Sequence, residues 1–373
     1  MSLNSGYLIS KLSSEQGRAV ITLLPKDGKD IKKISNWRPI SLLNVDYKIA
    51  ASCISARLKE VLPHVIHHDQ TGFLKNRYIG ENIRLILDVI QYAQDKNVPG
   101  YILFVDFEKA FDSVNWNFLY HTLQLFNFGD SIIRWVKTFY ANCTACVLNN
   151  GVSSGFFPVK RGMRQGCPLS PYLFVLCAEI LALKLRADRM YVGFPVGNVN
   201  IKVSMYADDT TIFLDNIDRS LQRVVEILTE FKQASGLKIN FEKSNILPIG
   251  DNNENGNGQS AYNIPFTDGP IKVLGITLTN NRSDLFPLNY LPKLSRLKSV
   301  LNMWSPRDLT PYGKIVIIKS FALSQLVFLF SVLPNPPESF LKELNSLLFN
   351  FIWRGKGDKI KRKILSSHRK KAA

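Results

Sequence analysis

The stretch 205–214, MYADDTTIFL, decides the fold. Two short β-like runs flank a tight polar break, which predicts a strand, a turn and a second strand. Two neighbouring carboxylates, Asp208 and Asp209, stand at that turn. Adjacent like charges repel, so a bare turn gains nothing from keeping both. A bound divalent cation converts the repulsion into affinity, because hard cations prefer carboxylate oxygens. Asp-Asp is also an ordinary solvated turn. The pair therefore takes its meaning from its surroundings.

The nearest parallel is YILFVDFEKAF, residues 101–111, an apolar strand that breaks into a polar turn at Asp106. Two strand ends thus carry acids. Carboxylates converging from neighbouring strands suit phosphoryl transfer, in which divalent ions grip the attacking and leaving oxygens.

The rest of the chain mixes strands and helices without regular βαβ alternation. Runs at 18–24 and 37–43 predict a hairpin with a basic tip, and helical periodicity follows over 47–62 and 80–95. Residues 117–140 read as amphipathic helices, 146–162 as a hairpin around Asn-Gly, and 168–187 as a proline-opened helix. A helix over 218–235 closes at Gly236, and LKINFEKSNILPI (237–249) reads as the next strand. Residues 250–260 form a low-complexity stretch expected to be a mobile loop, IKVLGITLT (271–279) another strand, and the chain is helical from Leu288. This order predicts an α+β fold followed by an all-helical piece.

Composition bounds the partners. The chain has 373 residues, 46% hydrophobic, with 47 Lys/Arg against 30 Asp/Glu and a formal charge of +17, so a globular protein with a polyanionic partner is expected. The last 20 residues supply +8 of that charge, leaving about half the excess in the body. Five scattered cysteines suggest a reducing compartment rather than a disulfide framework. The longest charge-free apolar run, Ser320–Pro334, falls short of the ~20 residues a bilayer requires, so a soluble intracellular protein without membrane partners is expected. His64, His67 and His68 lack a further ligand set at zinc spacing, and Cys143 with Cys146 reads as buried packing.

In order along the chain, LLPKDGKD (23–30), NWRPISLLNVDYKI (36–49), QTGFLKNRYIGENI (70–83), VDFEKAFDSV (105–114), RGMRQGCPLSPYLF (161–174), YADDTTIF (206–213), GLKINFEKSNIL (236–247) and VLGITL (273–278) resemble the motif series of LINE-type (non-LTR) retrotransposon reverse transcriptases. The stretch 304–328 and the FIWRGK at 351–356 resemble this family's thumb.

The resemblance implies a right-hand polymerase. Residues 1–100 would be fingers, 101–285 palm with a fingers-like insertion about 130–160, 286–355 a helical thumb, and 356–373 a basic tail. It implies an RNA-directed DNA polymerase that extends a DNA or RNA primer on an RNA template with deoxynucleotides. It further implies two Mg2+ ions, replaceable by Mn2+, held by Asp106, Asp208 and Asp209 with the carbonyl of Phe107. Lys26 and Arg38 would meet the triphosphate, where a guanidinium offers a fork and an ammonium a point charge. Phe111 would pack beneath the incoming sugar and exclude a 2′-hydroxyl, although phenylalanine at such a position is also ordinary core. Gln165, Gly166 and Ala207 would line the nucleotide pocket, Lys243 would protonate pyrophosphate, and Leu274 with Gly275 would grip the primer end. The family's usual N-terminal endonuclease and C-terminal Cys/His knuckle are not found in these residues, so the chain is expected not to cut its own target. Target-primed synthesis favours the nucleus. An RNA-templated RNA polymerase and a non-catalytic nucleic-acid-binding remnant remain alternative readings.

Overall fold

The computed structural model describes residues 3–251, 260–267 and 269–356. The eight central residues of the low-complexity stretch and the tail beyond Lys356 lie outside them. The chain divides into two compact units, the first ending at Thr267.

The first unit carries two main sheets. In the N-terminal sheet, β1 (Arg18–Pro25) pairs antiparallel with β2 (Trp37–Leu43). β4 (Thr144–Asn149) runs parallel to the other edge of β1. The Asn-Gly signal holds: Asn149 pairs with Val152, and Asn150 and Gly151 take positive φ between them, as a tight hairpin turn demands. The return strand is short, however, covering only Val152–Ser153.

The second sheet is four-stranded. Its centre is β3 (Gly100–Val105), flanked by β6 (Asp209–Leu214) and β7 (Asn245–Ile249), with β5 (Val203–Tyr206) beyond β6. All six residues of β3 are buried, which is why this strand reads as a continuous apolar run rather than an alternation. All its described neighbours pair antiparallel. Gly100 is required at its start, because a Cβ there would meet the ring of Phe194 at 2.4 Å. The helices Ser170–Ala187 and Arg219–Ser235 supply much of the core, including Leu173, Phe174, Val224 and Phe231. The second of these ends as expected, with Gly236 at φ 83.

Three expectations need correction. The strand foreseen over 237–249 is confined to Asn245–Ile249. The preceding residues leave the ladder because Ile239 bridges Phe107 instead, and residues 241–243 turn. The single strand foreseen over 271–279 is a hairpin, β8 (Ile271–Val273) with β9 (Ile276–Leu278), turning at Leu274 and Gly275. The last helical part begins at Leu285 rather than Leu288.

The second unit contains that hairpin and the helices. Asn289 ties them together: Oδ1 accepts from the Thr277 N–H at 2.8 Å, and Nδ2 donates to the Thr277 carbonyl at 2.8 Å. Pro311–Val332 runs as 22 helical residues, long and apolar enough by composition to cross a membrane, so the helix extends well ahead of the charge-free run Ser320–Pro334, which alone is too short. A helix packed into a globular domain passes the same test, although only 33% of this stretch is buried. Here Lys314 is buried and its Nζ donates to the Ile352 carbonyl at 2.9 Å, while Leu326 and Leu329 are buried as well.

Candidate active site

Asp209 pairs with Tyr206 across β5 and β6, so Ala207 and Asp208 form the whole turn between the strands. Ala207 takes a positive φ of 56°. Hairpins favour glycine at such a position, and an L-residue there is strained by roughly 1–2 kcal/mol. Asp106 is the first residue beyond β3. Its neighbour Val105 pairs with Thr210, which leaves Asp106 on the rung of Asp209. Cβ atoms on opposed positions of an antiparallel pair lie about 4.5–5.5 Å apart.

Asp106 is anchored through its backbone. Its N–H donates to Ser244 Oγ at 3.1 Å, and its carbonyl accepts from the Asn240 N–H at 2.7 Å. Ser244 is fully buried and its hydroxyl donates a hydrogen bond to the Asn240 carbonyl at 2.8 Å. On the other side of Phe107, the Glu108 N–H donates to the Lys238 carbonyl at 2.8 Å. Neither cross-strand bond uses the carbonyl of Phe107, which points away from the 238–240 segment.

Burial and neighbouring charge act on both carboxyls of the turn. Burial, then the charges of Asp208 and Asp106, push Asp209 up from the ordinary 3.8 to about 6. Burial followed by the charge of Asp106 raises Asp208 as well. Asp209 nonetheless keeps a solvent-facing surface, so the site is an open one. Among the described residues, no three His, Cys, Asp or Glu side chains, Asp106, Asp208 and Asp209 included, are gathered into a set that could hold a metal ion. Magnesium does not demand three such ligands, since it retains water and substrate phosphate ligands beside one or two carboxylates. Mutually repelling hard-oxygen donors at an open strand end fit a divalent cation.

Phe111, Gln165 and Gly166, expected in the nucleotide pocket, lie on two segments, 111–114 and 162–166, that hydrogen-bond to each other. Phe111 stacks on Phe174 with ring centroids 4.2 Å apart, and its carbonyl accepts from the Met163 N–H at 2.6 Å. Gly162, at φ 86°, lies on the same segment, where a Cβ would stand 2.6 Å from the Asp112 carbonyl oxygen. Gln165 Nε2 donates to Asp112 Oδ1 at 3.1 Å, and burial raises the Asp112 carboxyl. Gly166, at φ 81°, packs against β2, where a Cβ would stand 2.6 Å from the Ser41 carbonyl oxygen.

Lys26 and Arg38 lie on one face of the N-terminal hairpin: Arg38 opposes Leu24, and the Lys26 N–H continues the ladder to the Asn36 carbonyl at 2.8 Å. The Lys26 ammonium donates to the Ser35 carbonyl at 2.8 Å, whereas Arg38 is exposed. Lys243 is exposed on the 241–243 turn. Leu274 and Gly275 occupy the β8–β9 turn of the second unit, at φ 48° and 83°.

Sequence reasoning gave no role to Gln70, Asn82, Asp112 or Ser244. Each lies inside a quoted motif block, yet its partner is distant in sequence. Asn82 Nδ2, for example, donates to Ser204 Oγ at 2.8 Å and to the Met205 carbonyl at 3.0 Å.

Comparison with known proteins agrees with this architecture. Residues 24–278 match the family model described as reverse transcriptase (RNA-dependent DNA polymerase). The chain is 33% identical over 343 residues to the transposon TX1 uncharacterized 149 kDa protein of Xenopus laevis, covering 91% of this chain and 26% of that protein. It is 25% identical to the RNA-directed DNA polymerase from mobile element jockey of Drosophila melanogaster, covering 88% of this chain and 36% of that protein. The chain therefore spans roughly a quarter to a third of these curated relatives. A telomerase from Candida tropicalis, solved with a fragment of telomeric RNA, superposes with a TM-score of 0.52 at 15% identity, covering 95% of this chain and 62% of that one. That likeness shows the fold, a right-hand polymerase. With more than half its length matched by one family model and its relatives drawn from LINE-type non-LTR elements, this chain belongs to the reverse transcriptase family.

Proposed function

We propose that the chain extends a primer 3′-hydroxyl with deoxynucleotides on an RNA template. The observation that carries this reading is the shared strand end of Asp106, Asp208 and Asp209, where burial and mutual charge raise the carboxyls at the turn. In this reading residues 1–100 are fingers, 101–285 palm with a fingers-like insertion about 130–160, and 286–355 thumb, whereas the two compact units divide at Thr267 and put the 271–278 hairpin in the second.

In this reading Asp106, Asp208 and Asp209, with the Phe107 carbonyl, hold two divalent cations. When bound, those cations supply charge neutralisation at the attacking and leaving oxygens. The primer 3′-hydroxyl gives up its proton to solvent as its oxygen forms a bond to the α-phosphorus of the nucleotide, the bond to pyrophosphate breaks, and Lys243 gives a proton to the departing group. Phe111, fixed by its stack on Phe174, blocks a 2′-hydroxyl. Gln165, oriented by Asp112, lines the pocket together with Gly166 and Ala207. Arg38 and Lys26 meet the triphosphate, Lys26 after releasing the Ser35 carbonyl. Leu274 and Gly275 contact the primer end. Positioning and electrostatics provide most of the catalysis, because phosphoryl transfer leaves little covalent work for the protein.

Template sequence is read by base pairing, while the protein contacts the backbone and 2′-hydroxyls. The charge of +17 supports a polyanionic partner. Five cysteines free of disulfides accord with work inside the cell, where the nucleus suits target-primed synthesis.

The test is primer extension on an RNA template with Mg2+, comparing deoxynucleotides with ribonucleotides. Template-length DNA is expected. Firm template binding without extension overturns the reading and favours a non-catalytic binder; extension with ribonucleotides alone makes the protein an RNA polymerase.

A further inference from the structure

Gln70 is completely buried, and a buried carboxamide must spend its hydrogen bonds inside the protein. It spends them on the acid-bearing turn. Oε1 accepts from the Ala207 N–H at 2.9 Å and from the Gly72 N–H at 2.9 Å. Nε2 donates to the Ala207 carbonyl at 3.4 Å. One side chain therefore grips both backbone groups of the residue that carries the positive φ.

The grip has its own scaffold. The Thr71 N–H donates to the Met205 carbonyl at 2.9 Å and the Met205 N–H to the Asp69 carbonyl at 2.8 Å, so residues 69–71 lie alongside β5. Asn82 accepts from the Thr71 hydroxyl and donates to Ser204 and Met205. The Arg77 guanidinium donates to the carbonyls of Gln70 and Ile66, at 2.7 Å each, which holds the segment from behind. Gly72 makes the close approach possible, because a Cβ there would stand 2.4 Å from the Ala207 nitrogen.

We propose that Gln70 is a positioning residue: by clamping Ala207 in its strained conformation it fixes the directions in which Asp208 and Asp209 present their carboxylates to a divalent cation. The clamp is a claim about the turn itself, and its consequence for catalysis rests on the polymerase reading. Without the clamp, Ala207 relaxes toward negative φ and the two acids lose their common aim. The effect belongs with second-layer contacts to metal ligands, whose loss typically costs about 10- to 100-fold in metal affinity or activity.

Two variants test it in the full chain. Gln70→Met preserves the buried volume and removes the three bonds. Gln70→Asn preserves the carboxamide but is too short to reach Ala207, and it serves where the first variant fails to fold. Three readouts are followed: amide hydrogen exchange at Ala207 against that over Ile102–Val105, Mn2+ binding without nucleic acid by electron paramagnetic resonance, and the kcat and KM of primer extension. We expect faster exchange at Ala207 with β3 unchanged, Mn2+ binding weakened by about 10- to 100-fold, and a fall in kcat with little change in the nucleotide KM. Adding Ala207→Gly to either variant should recover most of the Mn2+ affinity, because glycine takes positive φ without strain. Unchanged Mn2+ affinity, exchange that rises equally across β3, or no recovery with Ala207→Gly overturns the proposal. A wild-type chain that extends nothing sinks the polymerase reading instead, and the exchange and Mn2+ measurements still judge the clamp.

Discussion

Asp106 and Asp209 face each other on the first rung beyond the paired residues of β3 and β6, one step past the Val105–Thr210 pair. Strand register therefore brings together acids separated by a hundred residues of chain. The same register places Asp208 at the turn, within reach of both fields. The arrangement costs stability without a cation, and its pH dependence follows.

Asp209 has a carboxyl raised from 3.8 to about 6, so the metal-free folded protein binds that proton more tightly than the unfolded chain does. Stability from this group is present at low pH and is lost as pH rises from about 4 through about 6. Asp209→Asn should then stabilise the metal-free protein at pH 7 to 8, with the advantage vanishing below about pH 4. Its solvent-facing surface limits the size of the gain. Thermal unfolding across this range with a chelator present checks the sign, and an Asn variant less stable than wild type at pH 8 contradicts it.

Phe111→Ala should raise ribonucleotide incorporation relative to deoxynucleotide incorporation. Since the ring stacks on Phe174, a stability loss of up to about 3 kcal/mol should accompany the change. Competitive incorporation assays at a temperature where both proteins are folded separate the two effects. Unchanged sugar selectivity would return Phe111 to plain core packing.

Gly162→Ala should destabilise the protein by about 1–3 kcal/mol or more, because the new Cβ meets the Asp112 carbonyl at 2.6 Å in a left-handed conformation. The same displacement should loosen the Met163–Phe111 bond and with it sugar selectivity. Denaturant unfolding gives the first quantity, and a change within about 0.5 kcal/mol would contradict the packing described.

Much of this was legible in the sequence, for local reasons. Acids at strand ends stand out against an apolar background, as Asp106 does after five apolar residues. The Asn150–Gly151 turn and the Gly236 cap are decided by their own backbone preferences. The illegible parts depend on distant partners. Residues 238–240 abandon their strand because residues 106–108 offer hydrogen bonds. Leu274 accepts a positive φ that its side chain does not favour. Gln70 in a polar motif gives no sign that its carboxamide closes on a turn far along the chain. Asp112 is equally silent until Gln165 is placed beside it.

The most direct measurement pairs RNA-templated primer extension with template-binding affinity for Asp208→Asn. Loss of one of the three carboxylates should lower the extension rate by about 10²–10³-fold or more, while affinity for the primed RNA stays within a few-fold of wild type. Extension at a comparable rate by the Asn variant would contradict the account, because the acids at the end of β3 and β6 would then not be the place where the chemistry occurs.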